Sequence, residues 1–267
     1  MEPPLILVSN DDGIEAPGLR ALVAALGPLG EVWAVAPDGE RSSSSHCLTL
    51  RKDVAVRRCG PREHAVDGWP ADCVYIAMFG LLPRRPGLVV SGINRGPNLG
   101  TDVLYSGTVG AAREAFTRGV PAISVSLTRG EGYEAAARFA RHLASVLIAR
   151  PEPELLLNVN VPPGEPRGAK VVRLGRRCYP ECAEPRRTVG DVTYFRIGAG
   201  GGLTDALVPG SDGEAVEQGY ISVTPLGIYC CVDEHMARAG AVADEAWAHL
   251  AASGARRPAT GEGGDRG

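Results

Sequence analysis

Over roughly the first 160 residues, the chain alternates between short continuous apolar runs and longer stretches with apolar residues at helical spacing. Leu5-Ile-Leu-Val-Ser9 is such a run, and it breaks abruptly into Asn10-Asp11-Asp12-Gly13, the pattern of a buried strand feeding a polar loop. A helix is expected next, because Pro17 suits a first helical turn and Leu19, Leu22, Val23 and Leu26 recur on one face up to Gly27. Glu31 to Ala36 reads as a second strand, closed by Pro37-Asp38-Gly39 and a serine-rich loop running from Arg41 to His46. Residues 47–66 alternate poorly and carry several charges, which suggests short antiparallel strands or an excursion from the main sheet. Pro70 to Leu82 then reads as a helix, Leu88 to Ser91 as a buried strand and Ser106 to Arg118 as a helix. Pro121 to Ser126 reads as a strand, and Glu131 to Ala149 as a long alanine-rich helix.

Strand alternating with helix in this way predicts a Rossmann-like α/β fold, a doubly wound and mostly parallel sheet. Beyond Pro162-Pro163 the rhythm changes. Lys170 to Leu174 and Tyr220 to Thr224 are short apolar runs among glycine and charge clusters, which predicts an appended β-rich C-terminal region. The expected organisation is therefore a catalytic core over 1–165, a β-rich appendage with an oligomerisation segment and a C-terminal helix over 166–252, and a disordered tail over 253–267. The tail consists largely of glycine, arginine and proline without an apolar period.

Composition narrows the function. A chain of 267 residues that is 44% hydrophobic has enough material for a large core, and its formal charge of -3 provides no basic field for gripping a nucleic-acid polymer. Lysine occurs only at positions 52 and 170, which removes most lysine-based mechanisms. The seven cysteines form no pair of Cys-x-x-Cys knuckles, so a zinc site is not expected. No run approaches the ~20 apolar residues that span a bilayer, and the N-terminal apolar run is too short for a signal peptide. The expectation is a cytoplasmic protein without a membrane partner.

Chemistry is concentrated where three strands end. Asp11 and Asp12, then Ser42, then Asn94 each follow a separate strand, and in an open parallel sheet such ends share one edge, where ligands bind. Two carboxylates, a hydroxyl and an amide oxygen form a hard, all-oxygen set suited to one Mg²⁺ or Mn²⁺ ion. Taken singly, each is ordinary turn chemistry, and only their shared placement favours a site. Ser106-Gly107-Thr108 opens a helix whose free N–H groups suit a phosphate, although Ser106 is equally an ordinary N-cap. Asn94 and Asn98 of the loop from Gly92 are further phosphate-binding candidates. His46, the histidine nearest these loops, is a candidate proton donor to a leaving oxygen, with a bystander role as the alternative.

The blocks Val8-Ser-Asn-Asp-Asp-Gly-Ile14, Ala36-Pro-Asp-Gly-Glu-Arg-Ser42, Pro70-Ala-Asp-Cys73, Ser91-Gly-Ile-Asn-Arg-Gly-Pro-Asn98 and Ser106-Gly-Thr-Val109 together resemble the SurE (survival protein E) family of 5′-nucleotidases. The similarity extends to Gly219-Tyr-Ile-Ser-Val-Thr-Pro-Leu226. It implies a divalent metal on Asp11, Asp12, Ser42 and Asn94 and hydrolysis of nucleoside 5′- and 3′-monophosphates, with polyphosphate cleaved by some members. It also implies a homodimer or homotetramer built by exchange of C-terminal segments. Gly39, the four-serine run and the glycine-rich stretch from Gly198 to Gly202 depart from the family pattern.

Other classes fit less well. A receiver-like signalling domain needs a lysine at a late strand end, and an aspartyl-phosphate phosphatase needs Asp-x-Asp where this chain has Asn10-Asp11-Asp12-Gly13. A non-catalytic nucleotide-binding protein would carry the same residues but release no phosphate. Whether Asp11 is only a ligand or also takes a proton from water stays open at the level of sequence.

Overall fold

The computed structural model describes residues 2–179, 182–198, 204–206, 208–228 and 235–254. Its centre is a nine-stranded sheet with the order β3-β4-β2-β1-β5-β6-β7-β13-β8. The strands nearest the middle are β1 (Leu5–Ser9), β2 (Glu31–Pro37), β4 (Glu63–Val66), β5 (Leu88–Arg95), β6 (Ala122–Leu127) and β7 (Leu156–Val161), all mutually parallel. Counted along the chain, their order is that of a dinucleotide-type doubly wound sheet, and its direction of winding reverses between β1 and β5. That gap is the topological switch point.

Burial on both faces explains the continuous apolar runs. Ile6 and Val8 of β1 point to the face covered by α1 (Pro17–Leu26) and α4 (Glu134–Ala149). Leu7 points to the face covered by α2 (Pro70–Ile76) and α3 (Gly107–Thr117). Each fully buried leucine or valine of this kind contributes about 1.5–3 kcal/mol. On the α1 side Leu19, Leu22 and Leu26 are buried as their spacing predicts, while Ala111, Ala112 and Ala115 keep α3 close to the sheet. At Gly18 the backbones nearly touch, since a Cβ there would lie 2.0 Å from the carbonyl oxygen of Ile93.

Residues 47–66 contain the antiparallel pair β3 (Val56–Gly60) and β4, with β4 joining the sheet edge beside β2. The predicted helix over Pro70 to Leu82 is α2 followed by one π-helical turn at Ala77–Leu81.

The region after residue 165 departs further from expectation. β13 (Ile221–Leu226) pairs antiparallel with β7, and β8 (Ala169–Val171) pairs parallel with β13. Ile221, Ser222, Val223 and Thr224 are buried, so this run belongs to the main core and needs no partner to cover it. The chain divides into compact units at Met1–Gly227 and Ile228–Gly267, and the first unit includes most of the expected appendage. Outside the main sheet lie a two-stranded ribbon of β10 (Ala183–Val189) and β11 (Val192–Ile197) and the short pair of β9 (Arg176–Cys178) and β12 (Thr204–Ala206). The short helix α5 (Asp212–Glu217), six residues long, precedes β13. The second unit contains the helix α6 (Met236–Gly254), which takes in the first two residues of the tail predicted over 253–267; the rest of that tail lies outside the described residues. Among the described residues no helix is long and apolar enough to cross a membrane.

The contact at Gly18 gives a first expectation. Gly18→Ala should lower unfolding free energy by about 1–3 kcal/mol, because α1 must move off the end of β5 to admit a methyl group. Chemical denaturation measures this, and an unchanged midpoint would mean the helix-to-strand approach tolerates the added bulk.

Candidate active site

At the switch point the chain leaves β1 through a loop shaped by its own side chain. Asn10 Nδ2 donates to the Gly13 carbonyl at 2.9 Å, and Asn10 Oδ1 accepts from the Gly13 N–H at 3.2 Å. Gly13 has φ of +105°, and a Cβ on it would press on the Gly39 backbone at 3.2 Å, so the first two loops can lie together only with glycine here. The Arg41 N–H donates to the Asp11 carbonyl at 2.7 Å, which ties the serine loop to the first acidic residue.

This packing surrounds a cavity of about 910 Å³. Of the sequence-predicted residues, Asp11, Asp12, Ser42, Asn94, Asn98 and Ser106 line it. The volume lies within the range of small-molecule sites.

Asp11 is only 5% exposed. Its carboxylate accepts from the Thr108 hydroxyl, while burial outweighs that bond and, with Asp12 adjacent, pushes the Asp11 carboxyl up from 3.8 to about 6. Burial also raises Asp12, against the Arg95 N–H that donates to Asp12 Oδ2 at 3.2 Å, and Glu40 adds to the rise. The first cause of both rises is burial, a cost that a cation bound between the two acids would offset. Asn94 Nδ2 donates to the Gly96 carbonyl at 2.9 Å, so the amide oxygen is its remaining acceptor. Ser42 is exposed and donates to Glu40 Oε1 at 2.8 Å. Among the described residues there is no cluster of three or more His, Cys, Asp or Glu placed to hold a metal. The residues present are thus two carboxylates with neutral oxygens, a set that fits a hard, partly hydrated cation and does not fit zinc.

The start of α3 is used differently from expectation. Ser106 caps the helix, its Oγ accepting from the Val109 N–H at 3.1 Å. The Thr108 hydroxyl is committed to Asp11 and does not face the cavity as a phosphate ligand. Gly107 serves close packing, since a Cβ there would lie 2.5 Å from Ser44 Oγ and 2.9 Å from Asp11 Cβ. Gly110 does the same one turn on, where a Cβ would lie 2.1 Å from the Ser45 carbonyl oxygen.

His46 is also redirected. It is not on the cavity wall, and its Nε2 lies 2.8 Å from Oε2 of the buried Glu114 on α3. Burial would raise Glu114, but the bonds from His46 and Arg118 outweigh it and hold this carboxyl below its usual value. The expected proton donor is an anchor of the serine loop in this arrangement, reinforced by Ser45 Oγ donating to the Leu104 carbonyl at 2.7 Å.

Asn98 is pinned from every side. Its Nδ2 donates to Ser126 Oγ at 2.8 Å, its N–H to Asn160 Oδ1 at 2.8 Å, and its carbonyl accepts from the side chains of Asn158 and Asn160. This buried knot fixes the loop that follows β5, which runs past the predicted end at Ser91 and so includes Asn94 and Arg95. Sequence reasoning missed Asn158 and Asn160, although two asparagines at alternate positions of the apolar run Leu155 to Val161 were a readable signal. It also missed Glu40, Asp102, Tyr105 and Tyr179 on the cavity wall.

An acidic, oxygen-rich cavity at the switch point of a doubly wound sheet defines a class of nucleotide- and phosphate-handling α/β proteins. The family model described as Survival protein SurE matches residues 6–181. The chain is 48% identical over 226 residues to a 5′-nucleotidase SurE of Anaeromyxobacter sp., covering 83% of this chain and 89% of that protein. It is 45% identical over 252 residues to the 5′-nucleotidase SurE of Sorangium cellulosum, covering 91% and 96%. The crystal structure of a SurE protein from Aquifex aeolicus superposes with a TM-score of 0.76 at 35% identity, covering 88% of this chain and 98% of that one. This chain belongs to the SurE family.

The asparagine knot carries an expectation of its own. Asn160→Ala should cost about 1–3 kcal/mol of stability, since it strips the buried Asn98 N–H of its acceptor. Denaturant titration reads the loss, and a change within error would show that water replaces the lost bond.

Proposed function

We propose that this protein is a phosphomonoesterase that hydrolyses nucleoside 5′-monophosphates to nucleoside and phosphate, using one Mg²⁺ or Mn²⁺ ion held by Asp11, Asp12, Ser42 and Asn94. The observation that carries this reading is the convergence of these four oxygen-bearing residues, from three separate strand ends, on one cavity, with both acids among them raised by burial. The names of the relatives point the same way. A cytoplasmic setting suits such a substrate.

When bound, a hard divalent cation supplies charge neutralisation at phosphoryl oxygens and lowers the pKa of a coordinated water. The chain's own residues supply placement. Thr108 holds the Asp11 carboxylate in one orientation, the Arg95 N–H does the same for Asp12, and the Asn10–Gly13 turn keeps the two acids side by side. Asn94 and Ser106 line the same cavity and would hold the phosphoryl group, whose charge the α3 dipole would favour. Hydrolysis of this kind depends on positioning and electrostatics more than on covalent chemistry. His46, engaged with Glu114, has no part in proton transfer in this scheme.

Phosphate release from 5′- and 3′-nucleotides, sugar phosphates and tripolyphosphate, with and without chelator, tests the reading directly. Chelation should abolish activity and Mg²⁺ or Mn²⁺ should restore it. Asp12→Asn should lower turnover at limiting metal by at least about tenfold with an unchanged unfolding midpoint. A fully active Asp12→Asn enzyme would remove that residue from the site, and binding of nucleotides without phosphate release would favour the non-catalytic alternative.

The assembly is a homodimer or larger in this reading, held by the ribbon of β10 and β11. Every residue of β11 is exposed, among them Val192, Tyr194, Phe195 and Ile197. A two-stranded ribbon is marginal alone, and apolar positions of this kind mark an interface. Sedimentation at micromolar concentration should give an oligomer that Phe195→Glu dissociates; a monomeric and fully active wild-type protein would defeat this part.

A further inference from the structure

Asp212, the first residue of α5, is fully buried and does not line the acidic cavity. Its carboxylate is bonded by backbone alone. Oδ2 accepts from the Gly100 N–H at 2.8 Å, and Oδ1 accepts from the N–H groups of Gly175 at 2.7 Å and Gly213 at 2.9 Å. Among the described residues no cation pairs with it. A buried carboxylate in this state is costly, and an apolar side chain of similar volume would pack α5 against its neighbours at less cost. What the carboxylate adds is placement, because charge-assisted bonds hold the backbone that donates them at short, directional distances.

The backbone placed in this way belongs to the cavity wall. Gly100 opens the 3₁₀ turn Gly100–Leu104, which carries the chain from Asn98 to Ser106. Asn98, Asp102, Tyr105 and Ser106 of this stretch all line the cavity. Gly100 has φ of +52°, and a Cβ on it would lie 2.9 Å from the Gly175 carbonyl carbon and oxygen, so two backbones meet where Asp212 bonds both. The contact is passed on within the turn: the Asp102 carbonyl accepts from the Ser106 N–H at 3.1 Å, and the Asp102 carboxylate accepts from Arg177, two residues past Gly175, at 2.6 Å. Either side of the stretch is fixed by other means. Asn98 sits in its knot with Asn158 and Asn160, and the first turn of α3 is tied to β1 by the Thr108–Asp11 bond.

We propose that Asp212 is a positioning residue for the substrate phosphate: through Gly100 it sets where the stretch from Leu99 to Ser106 lies along the cavity. This rests on the nucleotidase reading, in which Ser106 and the start of α3 hold the phosphoryl group. The influence of Asp212 falls on the phosphate and not on the cation. The Asn98 knot stands between Gly100 and Asn94, and Thr108 holds Asp11 without help from Asp212. A residue 112 positions beyond Gly100 in the chain thus joins the segment after residue 165 to the phosphate-binding part of the site.

Asp212→Asn breaks the contact selectively. The amide oxygen can keep the Gly175 and Gly213 bonds, whereas the amide N–H₂ meets the Gly100 N–H donor to donor. In the full chain, binding of inorganic phosphate to the Mn²⁺-loaded protein should weaken by about tenfold, the scale of one lost hydrogen bond to a charged group, while Mn²⁺ binding itself stays within about twofold. KM for AMP should rise by about the same factor with kcat nearly unchanged, the sign of lost ground-state binding. Gly100→Ala disturbs the same contact and leaves the carboxylate in place, so it should reproduce the pattern and serves if Asp212→Asn does not fold. Unchanged phosphate binding in the folded variants, or phosphate and Mn²⁺ weakened alike, would overturn the proposal. Phosphate release from AMP by the wild type is measured separately: its absence overturns the nucleotidase reading, whereas phosphate binding that survives both substitutions overturns this one.

Discussion

Asp11 lies at the end of β1 almost fully buried, beside a second carboxylate, and much of the surrounding architecture serves to keep it there. An uncompensated buried charge costs several kcal/mol, which is why burial raises its pKa despite the Thr108 hydroxyl. The hydroxyl comes from the first turn of α3, so the helix must start within bonding distance of the β1 loop. Gly107 makes that approach possible, since any side chain there would strike Asp11 and Ser44. The same contact that orients the acid thus sets the distance between β1 and α3.

The serine loop follows from that distance. It crosses α3 at Gly110, bonds through Ser45 to the backbone at Leu104 and Tyr105, and ends on the His46–Glu114 pair. Ser42 reaches the cavity because the residues after it are docked in this way. On the other side of the switch point, Asn98 and the two asparagines of β7 do equivalent work for the loop that follows Asn94 at the end of β5. Each candidate ligand is therefore held by a neighbour whose role is structural, as a preorganised site requires.

The region after residue 165 is divided between two tasks. β8 and β13 complete the main sheet, whereas the segment around Arg177 and Tyr179 folds back against Asp102 on the cavity wall.

Much of this was legible from local pattern. The bounds of β1, the start of β2, the Ser106 cap and the alternation of strand with helix follow from short-range apolar spacing and turn chemistry, which act over a few residues. Asp11, Asp12, Ser42 and Asn94 could be picked out because each lies at or just beyond the C-terminal end of a strand, and parallel strand ends meet by topology alone. What only the tertiary structure decided were the partners: Thr108 to Asp11, His46 to Glu114, Asn160 to Asn98, Tyr179 to Asp102, and β13 to β7. These pairs are separated by 62 to 97 residues in most cases, and no periodicity reports them. They arise from which surfaces become adjacent once the sheet has formed, when burial leaves each polar group to find a partner or forfeit its hydrogen bond.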